Sequence, residues 1–233
     1  MKLPVILHIE TSTNVCSVAL SEGTNCLLNI SNNEGLNHAA LLSTFVNKAL
    51  NLLKLQSKQL NAIAVSGGPG SYTGLRIGVS TAKGLCYGLN LPLIEVNTLT
   101  TLCAAAFKEE NSNEDALFCA MIDARRMEVY AMIYDSKGNI RKNVSADIID
   151  ASSYADLLSR HTVYFFGNGA EKCKSVLTHS NARFIDNLTP LAENMIPLAL
   201  TRFNVGKFVD LAYYEPFYLK EFQPTTPKIQ TDF

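Results

Sequence analysis

The chain has 233 residues, 47% hydrophobic and 18% charged, with a formal net charge of −1. That length fills one large domain or two small ones, and the near-zero charge excludes a global positive field that would hold a polyanion by counterion release. The six cysteines (Cys16, Cys26, Cys86, Cys103, Cys119, Cys173) include no CxxC pair, which excludes the common zinc spacings and suits reduced, buried thiols.

Residues 5–9 (VILHI) form an apolar run of strand length, closed by the turn formers Glu10-Thr11-Ser12-Thr13-Asn14. No signal-length apolar core precedes Glu10 and no window reaches a membrane span, so a cytoplasmic protein is expected. Two further strands are read over 15–20 and 24–30. From His38 to Lys54 the apolar positions Leu42, Phe45, Ala49 and Leu52 or Leu53 recur at helical spacing. A strand at 62–66, a helix from Tyr72 to Tyr87, a strand at 92–96 and a helix over 98–107 follow. The polar run 108–115 reads as a linker.

After the linker the pattern restarts. A strand at 117–122 ends in Asp123, a turn at Ala124-Arg125-Arg126 follows, and strands at 128–134 and 140–149 come next. A helix over 152–160, a strand at 163–166 and the loop Gly167-Asn168-Gly169-Ala170 continue the parallel with the first half. Helices over 171–179 and 190–205 flank a strand near 182–186. The tail from Tyr213 holds Pro216, Pro224 and Pro227, so it should run extended over a surface. The fold class is α/β, built from duplicated βββαβα units with the second reduced. The expected domains are 1–110 and 111–233, with the last helix and tail able to return to the first.

The stretch 67–88, GGPGSYTGLRIGVSTAKGLCYG, places a Gly/Pro turn directly before a helix that carries glycines of its own. Gly74, Gly78 and Gly84 together cost roughly 3 kcal/mol relative to alanine, so a close approach must offset them. At 100° per residue, Gly74, Gly78, Thr81, Ala82 and Leu85 share one face, Leu75, Val79 and Cys86 flank it, and Arg76, Lys83 and Tyr87 point away. The turn Gly67-Gly68-Pro69-Gly70-Ser71 has two readings, a phosphate cradle at a helix N-terminus or a structural strand-to-helix turn. It is not a Walker A loop, because Gly70 and Gly74 are followed by Ser71 and Leu75.

Ile9-Glu10-Thr11-Ser12-Thr13, GGPGSYTGLRIG at 67–78 with Thr81-Ala82-Lys83-Gly84-Leu85, Ile122-Asp123-Ala124-Arg125-Arg126 with Glu128-Val129-Tyr130, and the loop at 167–170 together resemble the bacterial TsaB (YeaZ) family. That family is related to TsaD and to the glycoprotease-like group within the actin, sugar kinase and heat-shock ATPase superfamily. The resemblance implies a non-catalytic partner in making the threonylcarbamoyladenosine modification of tRNA beside the anticodon. It also implies a heterodimer with a TsaD-like catalytic subunit and a TsaE-like ATPase at that junction. The net charge adds that tRNA is met only through the complex. An exposed Gly/Ala ridge beside Leu75 and Val79 would pair as a homodimer when the partner is absent. The interface would use Tyr72, Gly74, Leu75, Gly78, Val79, Ala82 and Leu85, so Gly78→Leu should abolish pairing and spare the fold. The metal-binding His-x-x-x-His pair of TsaD falls on Thr98 and Leu102 here. Leucine has no donor and a neutral hydroxyl is a weak ligand, so no bound metal is expected.

Glu10, Thr11, Ser12, Gly67, Gly68, Gly70, Asp123, Gly167 and Gly169 are the candidates for a vestigial nucleotide cleft, able at most to hold ATP or ADP weakly. Glu10 and Asp123 could pair across such a cleft, as carboxylates do in phosphoryl transfer, or each could cap the turn that follows it. His8 reads as a structural histidine, His38 as a helix-start histidine without a nucleophile beside it, and His161 and His179 as solvated. Arg125 and Arg126 could meet phosphate or remain in water. A kinase or ATPase, or a glycoprotein endopeptidase, is the alternative class, although GSYTG lacks the GxSxG elbow and no HExxH motif is present.

Overall fold

The computed structural model describes residues 2–33, 37–109 and 115–220. The first unit runs β1 (Val5–Glu10), β2 (Cys16–Glu22), β3 (Asn25–Asn32), α1 (His38–Leu55), β4 (Ala62–Ser66), α2 (Tyr72–Leu89) and β5 (Leu93–Val96). Helix α3 (Thr98–Glu109) leads to the second unit of β6 (Leu117–Asp123), β7 (Glu128–Asp135), β8 (Ile140–Ile148), α4 (Ala155–Leu158), β9 (Val163–Phe166) and β10 (Ala182–Ile185). Helix α5 (Ile196–Asn204) follows.

The sheet orders are β3-β2-β1-β4-β5 and, in the same sense, β8-β7-β6-β9-β10. In each, the first three strands are antiparallel and the last two join in parallel. Identical order and direction in both halves make the repeat a structural fact. Parallel strands need a crossover, which α1 and α2 supply in the first sheet. In the second, α4 has four residues, and a 3-10 turn at Glu171–Cys173 stands where α2 does.

That reduction corrects two of the expected helices. Over 152–160 the Ser152 and Ser153 hydroxyls donate to Asp150 Oδ1 and Tyr154 takes a left-handed φ of 61°, so the helix starts late. Over 171–179, Cys173 and Leu177 reach the core while the intervening polar residues make turns. The segment 190–205 opens as a 3-10 turn at Ala192–Met195, and the α-helix begins where Pro197 occupies its first turn. Residues 110–114 of the expected linker and 221–233 of the tail lie outside the described residues.

Alternation along β1 divides the first sheet's two faces. Val5, Leu7 and Ile9 pack with Leu42, Phe45 and Ala49 of α1 and with Val79, Ala82 and Cys86 of α2. Ile6 packs on the other face with Ala64, Ile94, Met195 and Ala199, the last from α5. Helix α3 meanwhile covers the second sheet, with Leu99, Leu102, Cys103 and Ala106 against Phe118, Ala120 and Ile122. Each sheet is thus covered by a helix that follows the other sheet in sequence. Among the described residues no helix is long and apolar enough to cross a membrane.

Candidate functional site

The C-terminal end of β1 turns sharply at Glu10-Thr11-Ser12. The Ser12 N–H donates to Glu10 Oε1 at 2.6 Å, and the Thr11 N–H reaches Ser66 Oγ at the end of β4 at 3.4 Å. Glu10, Thr11 and Ser12 are all fully buried, and α2 lies over them. Thr11 Oγ1 donates to the Gly74 carbonyl at 2.8 Å, and the Ser71 N–H donates to the Ser12 carbonyl at 2.7 Å. Ser71 also caps α2, its hydroxyl accepting from the Gly74 N–H at 3.2 Å.

A side chain at Gly70 or Gly74 would collide with the Ser12 or Thr11 carbonyl, and one at Gly78 with Thr11 Oγ1. The backbone that approaches the glycine ridge is therefore the chain's own β1–β2 turn. This corrects the expected interface: Gly74, Leu75, Gly78, Val79 and Ala82 are buried inside the chain, and only Tyr72 and Leu85 of that set are partly exposed. The solvent side of α2 carries Thr73, Ser80, Gly84, Tyr87 and Gly88, with Ile77 and Thr81 at its edge. Gly84 and Gly88 have nothing within 4 Å of where a side chain would stand. The expectation that Gly78→Leu would spare the fold is corrected for the same reason.

The turn before α2 is fastened on every side. The Gly67 N–H donates to the Val96 carbonyl at 2.8 Å, the Thr98 N–H to the Gly68 carbonyl at 3.0 Å, and the Phe217 N–H to the Gly67 carbonyl at 2.7 Å. Gly68 has a φ of +104°, and an added side chain there would meet the Phe217 carbonyl. The N–H groups of Gly67, Ser71 and Gly74 are bonded within the chain, so three of the donors of this turn serve its own structure.

Burial raises the Glu10 carboxyl to a pKa of about 7, while the polar groups of Ser12, Ser66 and Thr11 around it act to lower it. Its second oxygen, Oε2, and the Ser12 hydroxyl are buried without hydrogen-bond partners among the described residues. Asp123, the matching acid at the end of β6, lies at the surface. Its Oδ1 accepts from the Arg125 N–H at 3.1 Å and from Lys172 Nζ, and its own N–H donates to Asn168 Oδ1 at 3.0 Å. Both acids thus accept from the N–H two residues on, the turn-capping geometry, and neither hydrogen bonds to the other.

The loop after β9 repeats the packing of the first unit. Gly167, with φ +99°, leaves no room for a side chain beside the Met121 carbonyl and Leu102 Cδ2, and Gly169 lies against Ile122. Leu102 is completely buried in the core beneath the second sheet. Thr98 is equally buried and its hydroxyl has no partner. Leu102 has no donor atom and Thr98 offers only a neutral hydroxyl, so these two residues do not fit a metal.

His8 is buried on the α5 face, its Nε2 2.9 Å from Ser21 Oγ, and burial lowers its pKa to about 3. His38 Nε2 lies 2.9 Å from the Thr13 carbonyl and pins the start of α1 to the β1–β2 turn. His161 Nδ1 lies 3.0 Å from the Asp115 carbonyl, so it is anchored rather than simply solvated.

The sequence predicts a tail running extended over a surface, but not which surface it covers. Lys83 Nζ donates to the carbonyls of Ala212 and Tyr214 at 3.2 and 3.1 Å, and Arg76 Nε donates to the Tyr218 hydroxyl at 3.3 Å. The Arg76 guanidinium stands 4.2 Å from the Tyr72 ring centroid, Tyr72 and Tyr218 are in ring contact at 5.0 Å, and Lys220 reaches Glu128 of β7 at 2.5 Å. Residues 212–220 thus strap α2 and the Gly67 turn to the second unit. The aromatic run YEPFY was the available signal, since three rings in a Pro-bearing tail need something to cover. A cavity of about 440 Å³ lined by Lys2, Pro4, Asn61 and Phe203 lies at the opposite ends of β1 and β4, away from these groups.

The family model described as "TsaD: tRNA N6-adenosine threonylcarbamoyltransferase" matches residues 32–196. The tRNA threonylcarbamoyladenosine biosynthesis protein TsaB of Escherichia coli (strain K12) is 32% identical, over 92% of this chain and 94% of that protein. Its Haemophilus influenzae counterpart is 30% identical over 92% and 93% of the two chains. The solved structure of YeaZ from Pseudomonas aeruginosa superposes with a TM-score of 0.75 at 28% identity, covering 93% of this chain and all of that one. With matches of this extent, the chain belongs to the TsaB family of tRNA threonylcarbamoyladenosine biosynthesis proteins.

Proposed function

We propose that this chain is a non-catalytic scaffold that pairs with a TsaD-like catalytic subunit in threonylcarbamoyl transfer to tRNA. The observation that carries the reading is the buried Leu102 side chain and the buried Thr98 hydroxyl, at the two positions where the family resemblance would set the TsaD ligand pair. A chain without that ion contributes surface rather than turnover. The surface is the solvent side of α2, where Gly84 and Gly88 keep the ridge low enough for another helix to lie close. A TsaE-like ATPase joins at that junction, and a second copy of this chain occupies the same face when the partner is absent.

The test is Gly84→Leu. Nothing inside the chain opposes a side chain there, and the change adds about 1 kcal/mol of helix propensity. The isolated variant should melt no lower than wild type, yet fail to co-elute with the TsaD-like subunit. Co-elution at wild-type affinity would refute the reading.

A further inference from the structure

At the tip of the β6–β7 hairpin, Arg125 and Arg126 are consecutive residues with φ of 71° and 48°. Left-handed turn positions favour Gly and Asn, because the β-carbon of other L-residues there comes too close to the carbonyl oxygen that follows. Both arginines are exposed, and among the described residues no carboxylate ion-pairs with either guanidinium. Two side chains thus stand where glycine or asparagine would be less strained. The Arg125 backbone is bonded to Asp123 and Glu128, but among the described residues no ion pair of either guanidinium offsets the strain.

Other cations lie on the same edge. Lys220 of the strap bonds Glu128 at the base of the hairpin, and Lys220, Glu128 and Arg125 all act on the Tyr130 hydroxyl. Two residues before Lys220, Tyr218 takes the Arg76 hydrogen bond, and Arg76 in turn lies over Tyr72. Lys172 adjoins through Asp123 and the Glu128 carbonyl. Five cations (Arg76, Arg125, Arg126, Lys172, Lys220) face three carboxylates (Asp123, Glu128, Glu215) here, on a chain whose total is −1. Tyr72, Tyr130 and Tyr218 are interleaved among them. The three segments are far apart in sequence and only the fold assembles them.

We propose that Arg76, Arg125, Arg126 and Lys220 form a docking strip for the phosphate backbone of an RNA strand. Guanidinium groups grip phosphate oxygens in pairs, and aromatic rings beside them accept a base. An acidic protein segment would match the charges but would not stack on the partly exposed rings of Tyr72, Tyr130 and Tyr218, as a base can. The inference rests on the reading above, since a strip of this size binds RNA usefully only inside an assembly that holds the rest of the tRNA.

The experiment measures binding of a transcribed tRNA to the complex of this chain with its TsaD-like partner, from 50 to 200 mM salt. The variant is Arg125→Asn with Arg126→Gly, and Lys2→Gln with Lys48→Gln is the distant control of equal charge loss. Removing two phosphate contacts should weaken binding about five- to tenfold at the higher salt and reduce the slope of log K against log salt by about 1.4. The isolated variant should melt several degrees higher, because the turn strain is relieved. An intact complex with unchanged affinity and slope overturns the strip alone, as does loss of co-elution in the arginine variant, which would make the tip a protein contact. Failure of the wild-type chains to co-elute overturns the scaffold reading, and the strip falls with it.

Discussion

Glu10→Gln tests how the buried β1–β2 turn is built. The Glu10 carboxyl rises from 4.5 in the unfolded chain to about 7 in the fold because it is completely buried. At about 1.4 kcal/mol per unit, the shift corresponds to roughly 3 kcal/mol of differential stability between the two protonation states. Between those two values the native state binds the proton that the unfolded chain releases, so stability falls as pH rises from about 4.5 to about 7 and then levels off. Glutamine is neutral throughout. Its oxygen can keep the Ser12 N–H, and its amide can donate to the Ser12 hydroxyl, which now lacks a partner. The variant should match wild type near pH 4.5 and exceed it by about 3 kcal/mol at pH 8. Urea unfolding of both proteins at pH 4.5, 6 and 8 measures this, and every other titrating group cancels in the difference. If the two stability curves run parallel across that range, Glu10 does not titrate there and the burial argument is refuted.

The remaining predictions concern the same turn and its surroundings. Gly78→Ala should lower stability by about 1–3 kcal/mol because its methyl group collides with Thr11 Oγ1; a thermal melt that leaves Tm unchanged would contradict the contact. Leu102→Ala, at a fully buried wedge, should cost about 2–5 kcal/mol in chemical unfolding, and a loss under 1 kcal/mol would mean that the wedge is not tightly packed. His8 holds a folded pKa of about 3 against 6.5 unfolded, so its contribution is present above 6.5 and is lost as pH falls below it. His8→Gln should flatten that acid limb relative to wild type, and an unaltered limb would refute the assignment. Lys83→Ala removes both bonds to the Ala212 and Tyr214 carbonyls, and should speed amide exchange over 212–218 while leaving β1 protected; equal exchange would show that the strap is held elsewhere.

Periodicity and turn residues alone were enough to place the elements of the first unit, because long apolar repeats such as those of α1 and α2 bury one face whatever they meet. The glycines at 74 and 78 also declared from sequence that something must come close. What came close was a matter of tertiary structure: the Thr11 carbonyl and hydroxyl, 63 residues from Gly74 in the chain, fill that space. Local pattern cannot distinguish a partner's backbone from the chain's own, since both satisfy the same missing side chain. The acids at 10 and 123 were legible as turn caps, yet burial separates one from the other, and burial depends on what lies overhead. That the tail runs over a surface was legible, but its place on α2 and the basic hairpin edge were not, for the same reason: Arg76, Arg125 and Lys220 are joined only by the path of the chain in space. The sequence by itself determined the repeated βββαβα order and the family, because both reside in local pattern. The tertiary structure alone decided which faces remain open, because exposure is a property of the packed whole.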